Sequence, residues 1–278
     1  MRFIQRMFVS LTSNLPAQRA LVFAARQCHF LMGMGAGSGV EESGERAVFG
    51  LLRRLNIDGT KPLVVFDVGA NKGQFLSAFL AATKGTAFIC HSFEPSPATF
   101  ALLSQNHRSG SRHRLHNVGF GRVSGQETLF SDCEGSGSAS LSKRRLDHIG
   151  VQFDRSETIT IDQFSQREGI QQIDLLKLDV EGHELAALEG ASQLLQRAAI
   201  RLACFEFGGG NIDTRTFFQD FFYIFKQRGY RIWRITPGGV FVPITEYTES
   251  DEHFRTTNFL AVAPGVETLL FDDKQYTH

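Results

Sequence analysis

Two carboxylates that flank a glycine-rich turn form the pattern with the clearest chemistry in this sequence. The apolar run 63–66 leads to Asp67, and a turn with Gly69 and Gly73 follows. A second apolar run farther along the chain ends at Glu94. In a doubly wound α/β sheet, such a turn brings the backbone close to a ligand, and the acid after the neighbouring strand binds ribose hydroxyls. The pattern therefore predicts a pocket for an adenosine-type cofactor.

The spacing within the turn discriminates between cofactors. Enzymes that bind dinucleotides carry a compact GxGxxG motif that cradles a pyrophosphate, whereas this turn reads Asp67-x-Gly69-x-Asn71-x-Gly73. A carboxylate at the start of the turn repels phosphate and attracts a cation or an ammonium group. S-adenosylmethionine carries a sulfonium and an amino group and has no phosphate. The turn therefore favours S-adenosylmethionine over NAD.

A third acidic segment ends another apolar strand, predicted at 173–179. The carboxyl end of a strand beside the switch point of such a sheet faces the ligand crevice, so we expect Asp179 near the methionine half of the cofactor. An acid that ends an otherwise buried strand also needs a partner. Two interpretations of Glu181 and Glu184 are open: a direct role in the site, or capping of the turn and of the next helix.

Strands alternate with helices along most of the chain, which indicates a mostly parallel sheet. Strands are predicted at 63–68, 87–93, 113–118, 126–130, 157–161, 173–179, 200–207 and 230–235. Helices are predicted at 16–31, 41–55, 73–82, 96–106, 161–168, 183–197 and 214–228. A closing hairpin of 240–242 with 257–263 would add an antiparallel edge strand. One helical stripe indicates core or dimer packing: Phe217, Phe218, Phe221, Phe222 and Phe225.

The composition argues against some partners. The chain has 29 basic and 29 acidic side chains, whereas a nucleic-acid groove usually shows as a basic excess. We therefore expect no nucleic-acid partner. The four cysteines form no CxxC pair, which indicates a reduced, cytoplasmic location without a disulfide framework or a zinc site. We predict no metal, although a divalent ion shared by Asp179, Glu181 and Glu206 is an alternative.

The N-terminal segment has a distinct charge pattern. Its first 40 residues contain four arginines and no acid. Two interpretations are open: amphipathic helices that pack on the domain or on a second copy of it, or a basic face that rests on an anionic membrane. The glycine run 33–39 breaks the register of GxGxxG and follows a helical pattern, so it predicts a flexible hinge. The expected units are a helical extension (1–58), a Rossmann-like domain (59–265) and a C-terminal tail (266–278).

Together these motifs resemble the FkbM family of class I S-adenosylmethionine-dependent methyltransferases. Each segment alone is a weak signal, whereas their combination, order and spacing are specific. The resemblance covers about residues 60 to 263 and is carried by 67–73 (DVGANKG), 93–95 (FEP), 138–141, 176–184 (LKLDVEGHE), 204–207 (CFEF), 211–215 (NIDTR) and 256–261 (TTNFLA).

The resemblance implies an α/β fold with a seven-stranded, mostly parallel methyltransferase sheet, an antiparallel edge hairpin and a helical N-terminal extension outside the family region. It also implies the contacts to S-adenosylmethionine. These are Asp67, Gly69, Ala70, Asn71, Gly73 and Asp179 at the methionine end, Glu94 and Pro95 at the ribose, and Asn117 and Val118 at the adenine. Where the family often has an Ala-Leu-Ser type segment after the third strand, this chain has Val118-Gly119-Phe120.

The family methylates hydroxyl groups, often on sugars of polysaccharides, lipid-linked glycans or glycosylated metabolites. The resemblance therefore implies a sugar-directed O-methyltransferase. Because the sulfonium methyl is already electrophilic, such an enzyme mainly holds a hydroxyl oxygen in line at about 3 Å from it. A general base then takes the proton. Asp179 and His183 are the candidate bases; a solvent-exposed position at the helix start is the alternative for His183.

Residues on the neighbouring loops are expected to bind the acceptor: Glu181, Glu206, Asn211 and Arg215. Arg215 suits a carboxylated or phosphorylated glycan, and a surface ion pair is the alternative. Two other functions stay open. One is methyl transfer to a protein or another small-molecule acceptor, and the other is a methyltransferase-like module that only binds a partner.

Overall fold

The computed structural model of the chain describes residues 2–37, 39, 43–55, 59, 61–131 and 152–271. The motif segment 138–141 lies outside the described residues. Only the first part of the predicted C-terminal tail, up to residue 271, is described.

Eleven strands occur among the described residues. They are β1 (Leu63–Val68), β2 (Phe88–Phe93), β3 (His113–His116), β4 (Gly119–Phe120), β5 (Gly125–Ser131), β6 (Gln152–Ile159), β7 (Ile173–Leu178), β8 (Ile200–Phe207), β9 (Arg231–Ile235), β10 (Phe241–Ile244) and β11 (Thr257–Val262).

The helices of the described residues alternate with these strands. They are α1 (Arg2–Thr12), α2 (Leu15–Leu31), α3 (Arg46–Leu55), α4 (Gln74–Ala82), α5 (Pro97–Asn106), α6 (Ile161–Arg167), α7 (Glu184–Glu189), α8 (Ser192–Gln196), α9 (Gly210–Thr214), α10 (Phe218–Lys226) and α11 (Glu267–Leu270). None of them has both the length and the apolar character needed to cross a membrane.

The main sheet has the order β10-β9-β11-β8-β7-β1-β2-β3. Strands β3, β2, β1, β7 and β8 run parallel to one another, and β11 runs antiparallel to both β8 and β9. The predicted mostly parallel sheet with an antiparallel edge is therefore confirmed. The sheet has eight strands and not seven, because β10 adds a strand at the edge.

The predicted pairing of 240–242 with 257–263 is wrong. β10 pairs with β9, whereas β11 enters between β9 and β8. β9 and β10 form a hairpin because a tight turn joins them. In this turn the N–H of Thr236 donates to the carbonyl of Val240, and Gly239 has a left-handed φ of 75°. All six residues of β11 are buried, which suits a central strand. β10 is short and contains the exposed Pro243.

Two predicted elements are interrupted in the structure. The predicted strand 113–118 ends at His116, because the side chain of Asn117 turns to the loop after β2, and β4 then joins a small second sheet with β6 and β5. The predicted helix 183–197 breaks into α7 and α8 around Gly190. A Cβ at Gly190 would lie 2.2 Å from the carbonyl oxygen of Gly121, so this backbone approach admits only glycine.

The core lies on both faces of the main sheet. Because successive residues of a strand point to opposite faces, Phe66 packs in one cluster and its neighbour Val65 in the other. Four phenylalanines of the predicted stripe are buried in the first cluster: Phe218, Phe221, Phe222 and Phe225. Phe217 is 49% exposed, because it precedes the first turn of α10.

The N-terminal segment has two parts that differ in packing. α2 buries no residue, whereas α3 buries Phe49 and Leu52 in the second core cluster. Within the predicted flexible hinge 33–39, the described residues Gly35 and Gly37 are instead held against the domain. The N–H groups of Gly35 and Gly37 both donate to the carbonyl of Thr256, at 2.9 and 3.2 Å. The division into units at residue 58 stays a prediction.

Candidate active site

The loop after β1 connects the ends of β2 and β7. The N–H groups of Gly69 and Ala70 donate to the carbonyl of Phe93, at 3.0 and 2.9 Å. On the other side, a Cβ at Gly69 would lie only 1.8 Å from the carbonyl oxygen of Asp179. Gly69 also has a φ of 78°, which glycine tolerates without strain. The glycine is therefore required both by its own turn and by the backbone beside it.

Glu94 links the end of β2 to the same loop. Its two carboxylate oxygens accept hydrogen bonds from the N–H groups of Asn71 and Ser96, each at 2.9 Å. The side chain is buried, and burial raises its pKa to about 7 against the opposing effect of these two N–H donors. Each carboxylate oxygen has a second lone pair. Glu94 therefore orders the loop and still has acceptor capacity for ligand hydroxyls.

The predicted adenine side is built on the same loop after β2. The side-chain amide of Asn117 donates to the carbonyls of Glu94 and Pro95, at 2.8 and 3.2 Å. Val118 is half-buried beside it. Asn117 thus uses its amide protons to fix the loop after β2, which leaves its side-chain oxygen as the acceptor on this side.

A buried lysine that the sequence reasoning missed joins the acids. The Nζ atom of Lys177 lies 3.4 Å from Oδ1 of Asp67, 3.2 Å from Oδ2 of Asp179 and 3.5 Å from the carbonyl oxygen of Gly69. Asp67 is fully buried, and burial raises its pKa while Lys177 opposes the shift. A lysine within an apolar buried strand was the available signal, because such a charge is found buried only when it is paired.

Glu45, just before α3, is a second residue that the sequence reasoning missed. It is 7% exposed and accepts a hydrogen bond from the hydroxyl of Ser43 at 3.0 Å. Burial raises its pKa, the charge of Lys177 lowers it, and Asp179 raises it again. The N-terminal segment thus adds another carboxyl group next to the pair formed by Lys177 and Asp179. No motif marked Glu45, since it lies before the first strand.

Glu45, Lys177 and Asp179 line a cavity of about 770 Å³. This volume falls within the range of about 300–1,000 Å³ that is typical of small-molecule sites. Of the predicted cofactor residues, Gly69, Ala70, Asn71 and Asp179 line it, together with Glu45 and Lys177 and residues of α4. Glu94, Pro95, Asn117 and Val118 lie beyond this cavity, on the side of β2 and β3.

The loops after β7 and β8 meet backbone to backbone next to the cavity. A Cβ at Gly182 would lie 2.7 Å from the carbonyl group of Gly210, and Gly210 in turn approaches the carbonyl of Glu181. This contact brings the predicted acceptor residues on the two loops together. Asn211, however, is buried and bonds within its own loop, to the N–H of Gly208 and the hydroxyl of Thr216, both at 2.8 Å.

The other predicted acceptor and catalytic residues differ in environment. Arg215 is exposed and has a left-handed φ of 56°. His183 precedes α7 and is half-buried, and burial lowers its pKa to about 4. Glu206, near the end of β8, is half-buried; burial and then the charges of Asp179 and nearby glutamates raise its pKa well above the usual range. The two shifts have opposite directions, so Glu206 is a stronger proton acceptor than His183.

Glu184 follows the capping interpretation. Its Oε1 atom accepts from the N–H groups of Val180 at 2.9 Å and Gly182 at 3.2 Å, and the side chain is 1% exposed. Burial raises its pKa to about 7. Within the described part of the chain, no three His, Cys, Asp or Glu side chains are grouped so that they could hold a metal ion.

An open, mostly parallel sheet with carboxylates at the ends of β1, β2 and β7 is typical of nucleoside-binding α/β proteins. The comparison with known families is more specific. The methyltransferase FkbM domain matches residues 67–232, which is more than half of the 278 residues. The chain therefore belongs to this family, and the resemblance inferred from the motifs is confirmed.

Two curated relatives are similar to part of the chain. The 2-O-methyltransferase NoeI of Sinorhizobium fredii is 29% identical over 48% of this chain and 59% of its own length. The hexuronic acid methyltransferase AglP of Haloferax volcanii is 30% identical over 52% of this chain and 57% of its own length. The chain thus spans less than two thirds of either relative. A crystal structure of a methyltransferase FkbM from Methylobacillus flagellatus aligns with 72% of this chain and 43% of that one, at 18% identity and a TM-score of 0.43.

We predict that Gly69→Ala destabilises the protein more than Gly85→Ala. Both glycines have left-handed φ values, 78° and 86°, but only Gly69 has backbone within contact of the added methyl group. We expect Gly85→Ala to lower the free energy of unfolding by about 1 kcal/mol through backbone strain. Gly69→Ala should cost about 2–4 kcal/mol, since overpacking adds to that strain. Denaturant unfolding of both variants measures the difference, and equal losses would contradict the close approach to Asp179.

Proposed function

We propose that this chain is an S-adenosylmethionine-dependent O-methyltransferase that modifies a hydroxyl of a sugar or a sugar-containing molecule. The observation that carries the proposal is the loop after β1, which lines the cavity and contacts both Glu94 and Asp179. Membership of the FkbM domain family supports the reaction class. The names of the two relatives, a 2-O-methyltransferase and a hexuronic acid methyltransferase, support the acceptor class.

The charges around the cavity fit the proposed cofactor. Glu45, Asp67 and Asp179 surround the single ammonium of Lys177. Arg46 also lines the cavity, so three carboxyl groups stand against two cations, and a ligand with a sulfonium and an ammonium group suits the remaining acidic group. Among the described residues, Oδ1 of Asn71 is buried and has no hydrogen-bond partner, which adds an acceptor at the cavity. When bound, S-adenosylmethionine supplies an electrophilic methyl group.

We predict that Glu94→Gln weakens the binding of S-adenosylhomocysteine by about 1–3 kcal/mol, because a charged acceptor for the ribose hydroxyls is lost. Since burial raises the pKa of Glu94 to about 7, the wild-type carboxyl gains a proton as the pH falls below that value. Wild-type affinity should therefore decrease from pH 8 to pH 6, and the variant should lose this dependence. Calorimetry at several pH values measures both effects.

The same titration separates the enzyme from a module that only binds a partner. Absence of heat with either S-adenosylmethionine or S-adenosylhomocysteine at about millimolar ligand would contradict the proposed cofactor. Unchanged affinity in Glu94→Gln would instead place the ribose away from the end of β2.

We predict methyl transfer to carbohydrate. The full chain is incubated with S-adenosylmethionine and matched pairs of oligosaccharides that differ only in carrying a hexose or a hexuronic acid, with a denatured protein mixture as the alternative acceptor. Mass spectrometry should show the gain of one methyl group on a sugar hydroxyl. If the acceptor is acidic, Arg215→Ala should raise KM about tenfold for the uronic acid alone, through the lost charged hydrogen bond. Methylation of protein and not of sugar would contradict the proposed acceptor class.

We further propose that Glu206 takes the proton from the acceptor hydroxyl. Asp179 is held by Lys177 at 3.2 Å, and His183, with a pKa of about 4, is neutral but weakly basic at pH 7. A base works best when its pKa lies near the working pH. The raised pKa of Glu206 therefore makes it the stronger base, with neutral His183 able to orient the hydroxyl.

We predict that Glu206→Gln lowers kcat by about 10²–10⁴-fold, the usual contribution of a general base. The matched variant His183→Gln should lower kcat less than about tenfold, because it removes only an orienting contact. In the wild type, kcat should rise with pH as Glu206 loses its proton. Steady-state kinetics at saturating cofactor, together with the affinity for S-adenosylhomocysteine, measure these effects. The reverse ranking of the two variants would assign the proton transfer to His183.

A further inference from the structure

The two N-terminal helices expose a dense set of large apolar side chains. Phe8 on α1 is 58% exposed and Phe23 on α2 is 65% exposed. They belong to a set that we call the N-terminal apolar surface: Met7, Phe8, Val9, Leu11, Leu15, Leu21, Val22, Phe23, Phe30, Leu31 and Met32. Elsewhere in the described chain, large exposed apolar residues such as Val123 and Leu269 are scattered. Large exposed apolar side chains concentrated in one segment mark an interaction site.

The charge on these helices has one sign. Arg6, Arg19 and Arg26 are all exposed, and the first 40 residues contain no aspartate or glutamate. The surface therefore combines apolar side chains with arginines and has no acid to pair with them. This composition is typical of helices that lie in the interface of an anionic membrane, with apolar groups inserted and arginines at the headgroups.

The end of α2 is fixed to the edge of the domain where the crevice opens. His29 contacts the guanidinium of Arg255 at 3.3 Å, and Gly35 donates to the carbonyl of Thr256. Thr256 in turn packs on Gly208, directly after β8, where a Cβ would lie 3.0 Å from its backbone. These short contacts connect the end of α2 to the loop after β8, which lies next to the proposed acceptor site. A partner that binds α1 and α2 would therefore be close to that site.

We propose that the N-terminal apolar surface docks on an anionic lipid bilayer. A second copy of the chain fits less well, because a two-fold interface brings the same patch against itself. Both copies would then bring arginines to the interface, with no acid in either segment to pair with them. A bilayer with anionic headgroups supplies both the apolar layer and the negative charge. This inference is independent of the proposed reaction, since binding to lipid needs neither cofactor nor acceptor.

Co-sedimentation of the full chain with vesicles tests the proposal. We expect binding to vesicles of phosphatidylcholine with phosphatidylglycerol, weaker binding at high salt, and little binding to phosphatidylcholine alone. The triple variant R6E/R19E/R26E should bind at least about tenfold more weakly. Its control, Arg197→Glu, changes an exposed arginine just before β8, at the opposite edge of the sheet from the crevice, and should bind as the wild type does.

The apolar part is tested with Phe8→Ser and Phe23→Ser, against Val240→Ser, which changes a side chain that is 60% exposed outside the two helices. Both phenylalanine variants should lose vesicle binding while thermal unfolding stays as in the wild type. Three results would overturn the proposal: no binding of the wild type to anionic vesicles, equal binding of all variants, or a stable dimer in light scattering that Phe23→Ser dissociates. The last result would identify a second copy as the occupant.

Discussion

The pairing of one buried ammonium with several carboxylates holds the centre of this molecule together. Lys177 on β7 lies between Asp67 at the end of β1 and Asp179 after β7, and Glu45 approaches from the N-terminal segment. A charge in the interior is stable only when it is paired, and removing one partner leaves the others uncompensated. The ends of two parallel strands and a segment far away in sequence are therefore fixed relative to one another by electrostatics as well as by packing.

This arrangement also explains why the backbone at the site is so tightly specified. Lys177 contacts both Asp67 at the end of β1 and Asp179 after β7. With the strand ends in these positions, the carbonyl of Asp179 occupies the space where a Cβ at position 69 would lie. Glu94 then fixes the other end of the same loop through the N–H of Asn71. The loop is thus held from both sides before any ligand binds, and preorganisation of this kind lowers the entropic cost of binding.

The parts that were predictable from sequence are those with a local cause. β1, β2 and β7 are apolar runs that end in acids, so both their existence and their relation to the crevice followed from hydrophobic pattern and charge. The buried stripe on α10 followed from helical periodicity. The position of β11 between β8 and β9 was not predictable in this way, because register in a central strand depends on which neighbours the chain meets in three dimensions.

The missed site residues have the same explanation. Glu45 has no local pattern, and its role as a buried neighbour of Lys177 arises only when α3 packs on the sheet. Asn211 was predicted to face an acceptor, yet its amide holds the turn after β8, a role that amide side chains often take in loops. Sequence motifs indicate which residues lie at a crevice. Tertiary contacts decide which of their atoms already form hydrogen bonds within the protein and which can bind a ligand.

The outermost strand has a consequence for behaviour at high concentration. Among the described strands, β10 pairs with β9 alone, so its other side is a row of backbone groups to which a strand of a neighbouring molecule could add. Pro243 sits in the middle of that short row and has no N–H. The row therefore lacks a donor where a docking strand would need one, which protects this flank of the sheet against edge-to-edge aggregation.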